Sequence, residues 1–232
     1  MTTLTIALPS KGRLMEETLA RFMASGLTIR RLGTERGYKG DIPNLPGAAI
    51  AFLSASEIAA FLKSGRIQIG VTGEDLVAEA VAPGDMRIVP LVRFGFGRAD
   101  VVVAVPKLWL DVDRMADLEN IAPTFRATHG RHLLVATKYK SLTRRFFADK
   151  KVTSYRIVES LGATEGAPQA GHAEIIVDIT STGGTLAANH LKILADGVIL
   201  ESEAVLFRAE SAAWSAEARS LCDKVVRHLR QA

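Results

Sequence analysis

Apolar residues follow two rhythms along this chain. Short, mainly apolar runs at 4–8, 48–53 and 67–72 read as strands. Segments at about 12–25, 55–64 and 74–81 carry their apolar residues at helical spacing, as Met15, Leu19 and Phe22 do in the first of them. Alternation of this kind predicts a mostly parallel sheet with covering helices. Each of these strands ends in a small or polar turn: PSKGR, SASE, TGED. In open α/β sheets ligands collect beyond the carboxyl ends of strands, so the three turns are expected to line one mouth.

The pattern is interrupted at RFGFGRAD (93–100) and begins again with VVVAVP, HLLVAT and EIIVDIT. A strand-rich return, KILADGVILESEAVLF, leads to a last helix in which Trp214, Ala218, Leu221, Val225 and Leu229 share one face. Two crossings, near 94 and 190, are therefore expected. They give a discontinuous first α/β domain (1–93 and 191–232), an inserted second α/β domain (94–190) and a cleft between the two lobes.

The chain has 232 residues, of which 48% are hydrophobic, enough for a substantial core. A net charge of +4, with both signs mixed along the sequence, favours small anionic ligands and gives no basic block of the kind that binds nucleic acid. The stretch KYKSLTRRFFADKK (138–151) reads as an amphipathic helix with a solvated basic face, although Lys138 and Tyr139 at its start are near a strand end. One cysteine, Cys222, excludes an internal disulfide and is consistent with a reducing, cytoplasmic setting. No segment reads as a signal peptide or a membrane span. The five histidines form no HExxH motif and have no cysteine at ligand spacing, so a zinc site is not expected.

The most informative stretch is VDITSTGGTLAAN (177–189), an apolar strand followed by small and hydroxylated residues and then a helical pattern. Amides at a helix start lack intrahelical acceptors and point at an anion. Gly183 and Gly184 let the backbone approach an oxygen, and Thr180, Ser181, Thr182 and Thr185 add hydroxyls. The turn lacks the lysine ending of an ATPase P-loop. Asp178 at the strand end suits sugar hydroxyls or a magnesium ion beside a phosphate, and together these describe a ribose 5-phosphate cup.

These residues resemble the phosphoribosyl-pyrophosphate loop of phosphoribosyltransferases, except that Ile179 stands at the second acidic position. With ALPSKGRL (7–14), GVTGEDLV (70–77), VATKYKSLTRRFF (135–147) and GATEGAPQAGHAE (162–174), the set resembles the ATP phosphoribosyltransferase family in order and over nearly the whole chain. The resemblance implies transfer of the phosphoribosyl group to N1 of ATP with release of pyrophosphate and substrate-bound Mg2+, the first step of histidine biosynthesis. It implies Asp178 and the 180–185 turn as the sugar-phosphate site, with Asp178 reaching the metal through water. Lys11 and Arg13 become candidate cations for the leaving pyrophosphate, and Glu165 a candidate proton acceptor. Gly12, Arg36, Gly73 and Glu74 become candidate nucleotide or pyrophosphate residues. Many relatives carry arginine where this chain has Ser54. The chain looks like the family's short form, which implies a homodimer assembling with a regulatory subunit that resembles histidyl-tRNA synthetase. The implied fold is a pair of α/β lobes with periplasmic-binding-protein-like (type II) topology. Two other readings stay open on the residues: a phosphoribosyltransferase acting on a free nucleobase, and a cytosolic two-lobed metabolite-binding protein.

Overall fold

A computed structural model describes residues 4–33, 37–160 and 162–231. The chain divides into two compact units, 1–97 with 203–232, and 98–202. The first crossing lies at the glycine-bearing segment noted above. The second lies at Glu203, some twelve residues beyond the expected 190, because the strand Leu191–Ser202 pairs within the second unit rather than returning to the first.

The first unit contains β1 (Leu4–Pro9), α1 (Gly12–Ala24), β2 (Arg30–Leu32), β3 (Lys39–Asp41), β4 (Ala48–Leu53), α2 (Ala55–Lys63), β5 (Ile69–Gly73), α3 (Glu74–Ala80), β6 (Ile88–Arg93), β12 (Ala204–Ala209) and α7 (Ala216–Gln231). Its seven-stranded sheet runs β2-β3-β4-β1-β5-β12-β6. Only β4-β1 and β1-β5 are parallel, so the sheet is mixed rather than mostly parallel. The returning β12 enters between β5 and β6, antiparallel to both.

The central strand β1 is buried on both faces, as its mainly apolar run requires. Leu4, Ile6 and Leu8 pack with Phe22 of α1 and with Cys222, Val225 and Leu229 of α7. Ala7 faces the opposite side, with Ile58, Leu62 and Val77 of α2 and α3. Ala218, Val225 and Leu229 are fully buried, and Leu221 is partly buried against the same core. Trp214, just before α7, also packs there and donates from its indole nitrogen to the Ala209 carbonyl at 2.8 Å. Cys222 completes the buried face, where loss of hydration pushes its thiol up to about 11.

The second unit contains β7 (Ala99–Pro106), α4 (Met115–His129), β8 (Leu133–Thr137), α5 (Lys140–Asp149), β9 (Tyr155–Glu159), a 3-10 turn (Thr164–Gly166), β10 (Ile175–Thr180), α6 (Gly184–Ala188) and β11 (Leu191–Ser202). Its five strands run β11-β7-β10-β8-β9, with β10-β8 and β8-β9 parallel. In α5, Leu142 and Phe147 are buried, which accounts for the basic remainder of that segment as a solvated face. A break in the β11-β7 register at 194–197 frees Asp196 to accept from the first amide of α4, Met115, at 2.8 Å and from Lys150 Nζ at 2.9 Å. No helix among the described residues is long and apolar enough to cross a membrane.

Candidate functional site

Strands β4, β1 and β5 are adjacent and parallel, so the turns after them emerge at one edge of the first sheet, as the sequence anticipated. The Ser10 amide, donating to the Leu53 carbonyl at 2.8 Å, ties two of these turns together. Lys11 is the residue before α1, in extended conformation, and Gly12 takes a left-handed φ of 73°. A side chain at residue 12 would meet no atom within 4 Å, so glycine serves backbone shape there rather than close approach. Lys11 and Gly12 are exposed. Arg13 is exposed too and pairs with Glu17 one turn along α1, at 3.0 Å.

The other two turns are closed internally. Ser54 caps α2: its hydroxyl accepts from the Glu57 amide at 3.3 Å, and the Glu57 carboxylate accepts from the Ser54 amide at 2.9 Å. That hydroxyl donates to the same carboxylate at 2.6 Å, and these bonds hold Glu57 below the usual carboxylate range. Gly73 precedes α3. Glu74 pairs with Arg93 at 2.6 Å while its amide donates to the Glu203 carbonyl at 3.1 Å. Arg93 also reaches Glu203 at 3.3 Å, and the first of these carboxylates contributes most to raising the guanidinium. Asp75 is buried, so it is not simply a solvated acid at a helix start. Arg36 lies outside the described residues.

In the second unit β8 and β10 are parallel neighbours, which places Lys138, just past β8, beside Asp178 near the end of β10. Asp178 is only 14% exposed at its side chain. Its Oδ1 accepts from the Ile179 amide at 2.8 Å, and Lys138 Nζ stands 3.9 Å away. Burial raises the Asp178 carboxyl above its ordinary value, and the Glu165 carboxylate adds to the rise. The Ile179 amide, the Lys138 ammonium and the Thr164 hydroxyl act against it. The fold therefore brings two sequence-selected residues, Glu165 and Asp178, into one electrostatic neighbourhood. It adds Thr164 and Lys138, for which the only cue was Lys138's place directly after a strand parallel to β10.

After Asp178 the chain makes a tight, largely exposed turn. Gly183 has a φ of 73°, and its amide donates to the Thr180 hydroxyl at 2.9 Å. The Gly184 amide reaches the Thr182 hydroxyl at 3.4 Å. Two of the amides expected to face a phosphate are thus held by hydroxyls of the turn itself, which fixes its shape. Helix α6 is a five-residue segment anchored by buried Leu186, so it contributes only a short dipole. Ser181, Thr182, Gly184 and Thr185 are exposed and Gly183 half-buried.

Similarity to known proteins bears on the family and the fold. The family model for HisG, ATP phosphoribosyltransferase, matches residues 54–231. An ATP phosphoribosyltransferase of Rhizobium meliloti (strain 1021) is 56% identical over 229 residues, covering 98% of each chain. One of Rhodopseudomonas palustris (strain BisB18) is 52% identical over 99% of this chain and 72% of its own length. In fold, the chain matches the ATP phosphoribosyl transferase (HisG:HisZ) complex from Thermotoga maritima with a TM-score of 0.71 at 23% identity, over 99% of this chain and 98% of that one. It matches the periplasmic aliphatic sulphonate binding protein SsuA from Escherichia coli with a TM-score of 0.57 at 14% identity, over 100% of this chain and 72% of that one. The type II periplasmic-binding-protein-like architecture is thus observed, and the sequence match separates this chain from the solute receptors that share it. The chain belongs to the ATP phosphoribosyltransferase family, the enzymes of the first step of histidine biosynthesis.

Proposed function

We propose that the turn 180–185 holds the 5-phosphate of phosphoribosyl pyrophosphate and that Asp178 engages the ribose hydroxyls, leaving the anomeric carbon open to N1 of ATP. The observation that carries this reading is Asp178 itself: a carboxylate depleted of water at a strand end, with no strong ion pair to quench it and a phosphate-sized turn immediately after it. Ribose hydroxyls would supply donors that the protein side chains around Asp178 provide only in part.

Adenine N1 carries its own lone pair, so the reaction needs positioning more than a strong base. As the bond to pyrophosphate lengthens, negative charge grows on the leaving group and the ribose becomes oxocarbenium-like, so cations near the pyrophosphate lower the barrier. Lys11 and Arg13 are the proposed cations, with the Gly12 turn presenting them, and Arg36 shares that role in this reading. Gly73 and Glu74 shape the nucleotide side of the same sheet edge, Glu74 acting through Arg93. Glu165, the carboxylate whose charge reaches Asp178, accepts the proton finally lost from the exocyclic amine.

Magnesium belongs to the substrate complex, where it would draw charge from the departing pyrophosphate. Among the described residues no group of three or more His, Cys, Asp or Glu side chains is placed to hold a metal ion. Asp178, acting through water, is the side chain that fits a metal carried in by the substrate. The Thermotoga neighbour is a HisG:HisZ complex, which supports a HisZ partner for this chain. In this reading the chain is also a homodimer, and its partner is a regulatory subunit resembling histidyl-tRNA synthetase. A cytoplasmic location fits a metabolic enzyme of this kind.

The test is pyrophosphate release from phosphoribosyl pyrophosphate and ATP by the purified chain, with and without the candidate regulatory subunit, together with the absorbance rise of N1-substituted adenine. Turnover with a free nucleobase and none with ATP would overturn the reading.

A further inference from the structure

The first unit holds a second concentration of positive charge, of which the turns above engage only Arg93. A cavity of about 440 Å³ is lined by Arg21, Arg93 and Arg230 and by apolar groups that include Pro90, Leu91 and Leu229. Among the described residues no acidic side chain lines it. The arginines come from three elements: the last turn of α1, the end of β6 and the last turn of α7.

Two of them are held in place by backbone carbonyls. Arg21 donates through Nη2 to the Leu229 carbonyl at 2.9 Å, and Arg230 through Nη2 to the Leu91 carbonyl at 3.1 Å. Among the described residues these carbonyls are the hydrogen-bond acceptors of Arg21 and Arg230, both neutral, and they leave most of the guanidinium donors unused. Arg21 Nε is buried and has no hydrogen-bond partner among the described residues. Glu17, one turn before Arg21 on α1, pairs with Arg13 through Oε1, and its Oε2 is buried with no hydrogen-bond partner among the described residues. Arg93 differs, because Glu74 and Glu203 already balance its charge.

The shape of the edge narrows the occupant. β6 is the last strand of its sheet, yet it is poorly suited to accept another. Pro90 has no amide hydrogen to donate, the register with β12 skips Leu91, and the Leu91 carbonyl is taken by Arg230. An added peptide strand is disfavoured. The cavity is larger than one phosphate group, and the surplus is walled by apolar side chains.

We propose that this cavity binds a small phosphate monoester, with its phosphoryl group between Arg21 and Arg230 and its organic body against Pro90, Leu91 and Leu229. Planar guanidinium forks match phosphate oxygens in geometry and charge, and preorganisation by the two carbonyls reduces the ordering cost of binding.

Phenyl phosphate is the probe, titrated by calorimetry into the full chain. The turn 180–185 is expected to take a phosphate ester too, so the measurement is made in the Gly183→Val background, whose own effect on phosphoribosyl-pyrophosphate affinity is read separately. A saturable phenyl phosphate site that depends on Arg230 is expected to remain there, distinct from the weakened turn by that dependence. Arg230→Gln should weaken it about tenfold or more, the effect of losing one charge-assisted pair, and Arg21→Gln should do the same. Inorganic phosphate should bind more weakly than phenyl phosphate, and phthalate, a carboxylate of similar size, more weakly still. Arg230→Gln in the otherwise native chain should leave turnover of ATP unchanged. Arg230 lies in the last turn of the final helix and is exposed, so its replacement keeps the test readable even if Arg21→Gln fails to fold. Absence of a saturable site in the Gly183→Val background, an affinity unmoved by Arg230→Gln, or phthalate binding as tightly as phenyl phosphate would each overturn the proposal.

Discussion

Two kinds of strand-to-helix turn exist side by side in this chain, and they spend their polar groups differently. After β4 and β5 in the first unit, Ser54 and Glu57 satisfy each other as a capping box, and Glu74 is matched by Arg93. After β10 in the second unit, the turn's hydroxyls hold its own glycine amides, but Asp178 keeps a carboxylate that burial disfavours and that Lys138 approaches only to 3.9 Å. The first kind stabilises the fold. The second keeps a carboxylate that burial disfavours and that its neighbours compensate only in part, an arrangement enriched at working sites.

The sharpest way to break this contrast is Asp178→Ala. If the carboxylate orients the ribose, kcat/KM for phosphoribosyl pyrophosphate should fall by roughly 10²- to 10³-fold, the scale for removing one preorganised electrostatic contact. Thermal unfolding should be unchanged or shifted upward. Wild-type kinetics in this variant would remove Asp178 from the site.

A smaller loss is expected from Gly183→Val. A Cβ at 183 meets nothing nearer than Ile193 Cδ1 at 3.9 Å, so the penalty comes from the left-handed φ and not from a clash. That penalty is roughly 1–2 kcal/mol, and relief of it by reshaping the turn should weaken phosphoribosyl-pyrophosphate binding about tenfold, measurable by calorimetry. Unaltered affinity would place the phosphate elsewhere.

Ser54→Ala tests the other side of the comparison. Loss of the cap should lower stability by about 1 kcal/mol in denaturant unfolding. A large drop in turnover without loss of stability would mean that Ser54 serves substrate instead of the helix.

The gentlest probe is Asp178→Asn followed by pH. The folded chain raises this carboxyl above its unfolded value, so the folded state binds more protons, and stability falls as pH rises through the Asp178 titration. Asn removes the titrating group. The melting-temperature advantage of Asp178→Asn over wild type should be absent well below the carboxyl's ordinary value of 3.8 and open as pH rises above it. A gap that closes with rising pH would contradict the burial argument.

Much of this architecture was legible before any coordinates. Strands at 4–8 and 48–53 and the helices that follow them were readable because mainly apolar runs and helical spacing are local properties. The α7 stripe was readable for the same reason at Ala218, Val225 and Leu229, whereas Trp214 precedes the helix, Leu221 is only partly buried and Cys222 joins the buried face. The insertion of β12 between β5 and β6 was not, since a strand's sequence does not say which edge it will join. The three-residue β2 and β3 are too short to carry a period, and β11 was assigned to the wrong unit because its pairing with β7 spans the whole inserted segment. At the site, the glycines and hydroxyls of 180–185 announced themselves by type and order. The capping role of Ser54, the Arg93 that occupies Glu74 and the burial of Asp178 did not, because each depends on partners distant in sequence or on the depth of packing around it.

Residue order alone marks most of the segments that become strands and helices, and the turn proposed here for the phosphate, because these follow from spacings within a few residues. Tertiary packing settles which of the candidate polar groups stay available. A charge becomes reactive or inert according to the water it loses and the counter-charge it gains, and both are set by neighbours that the chain brings together only on folding.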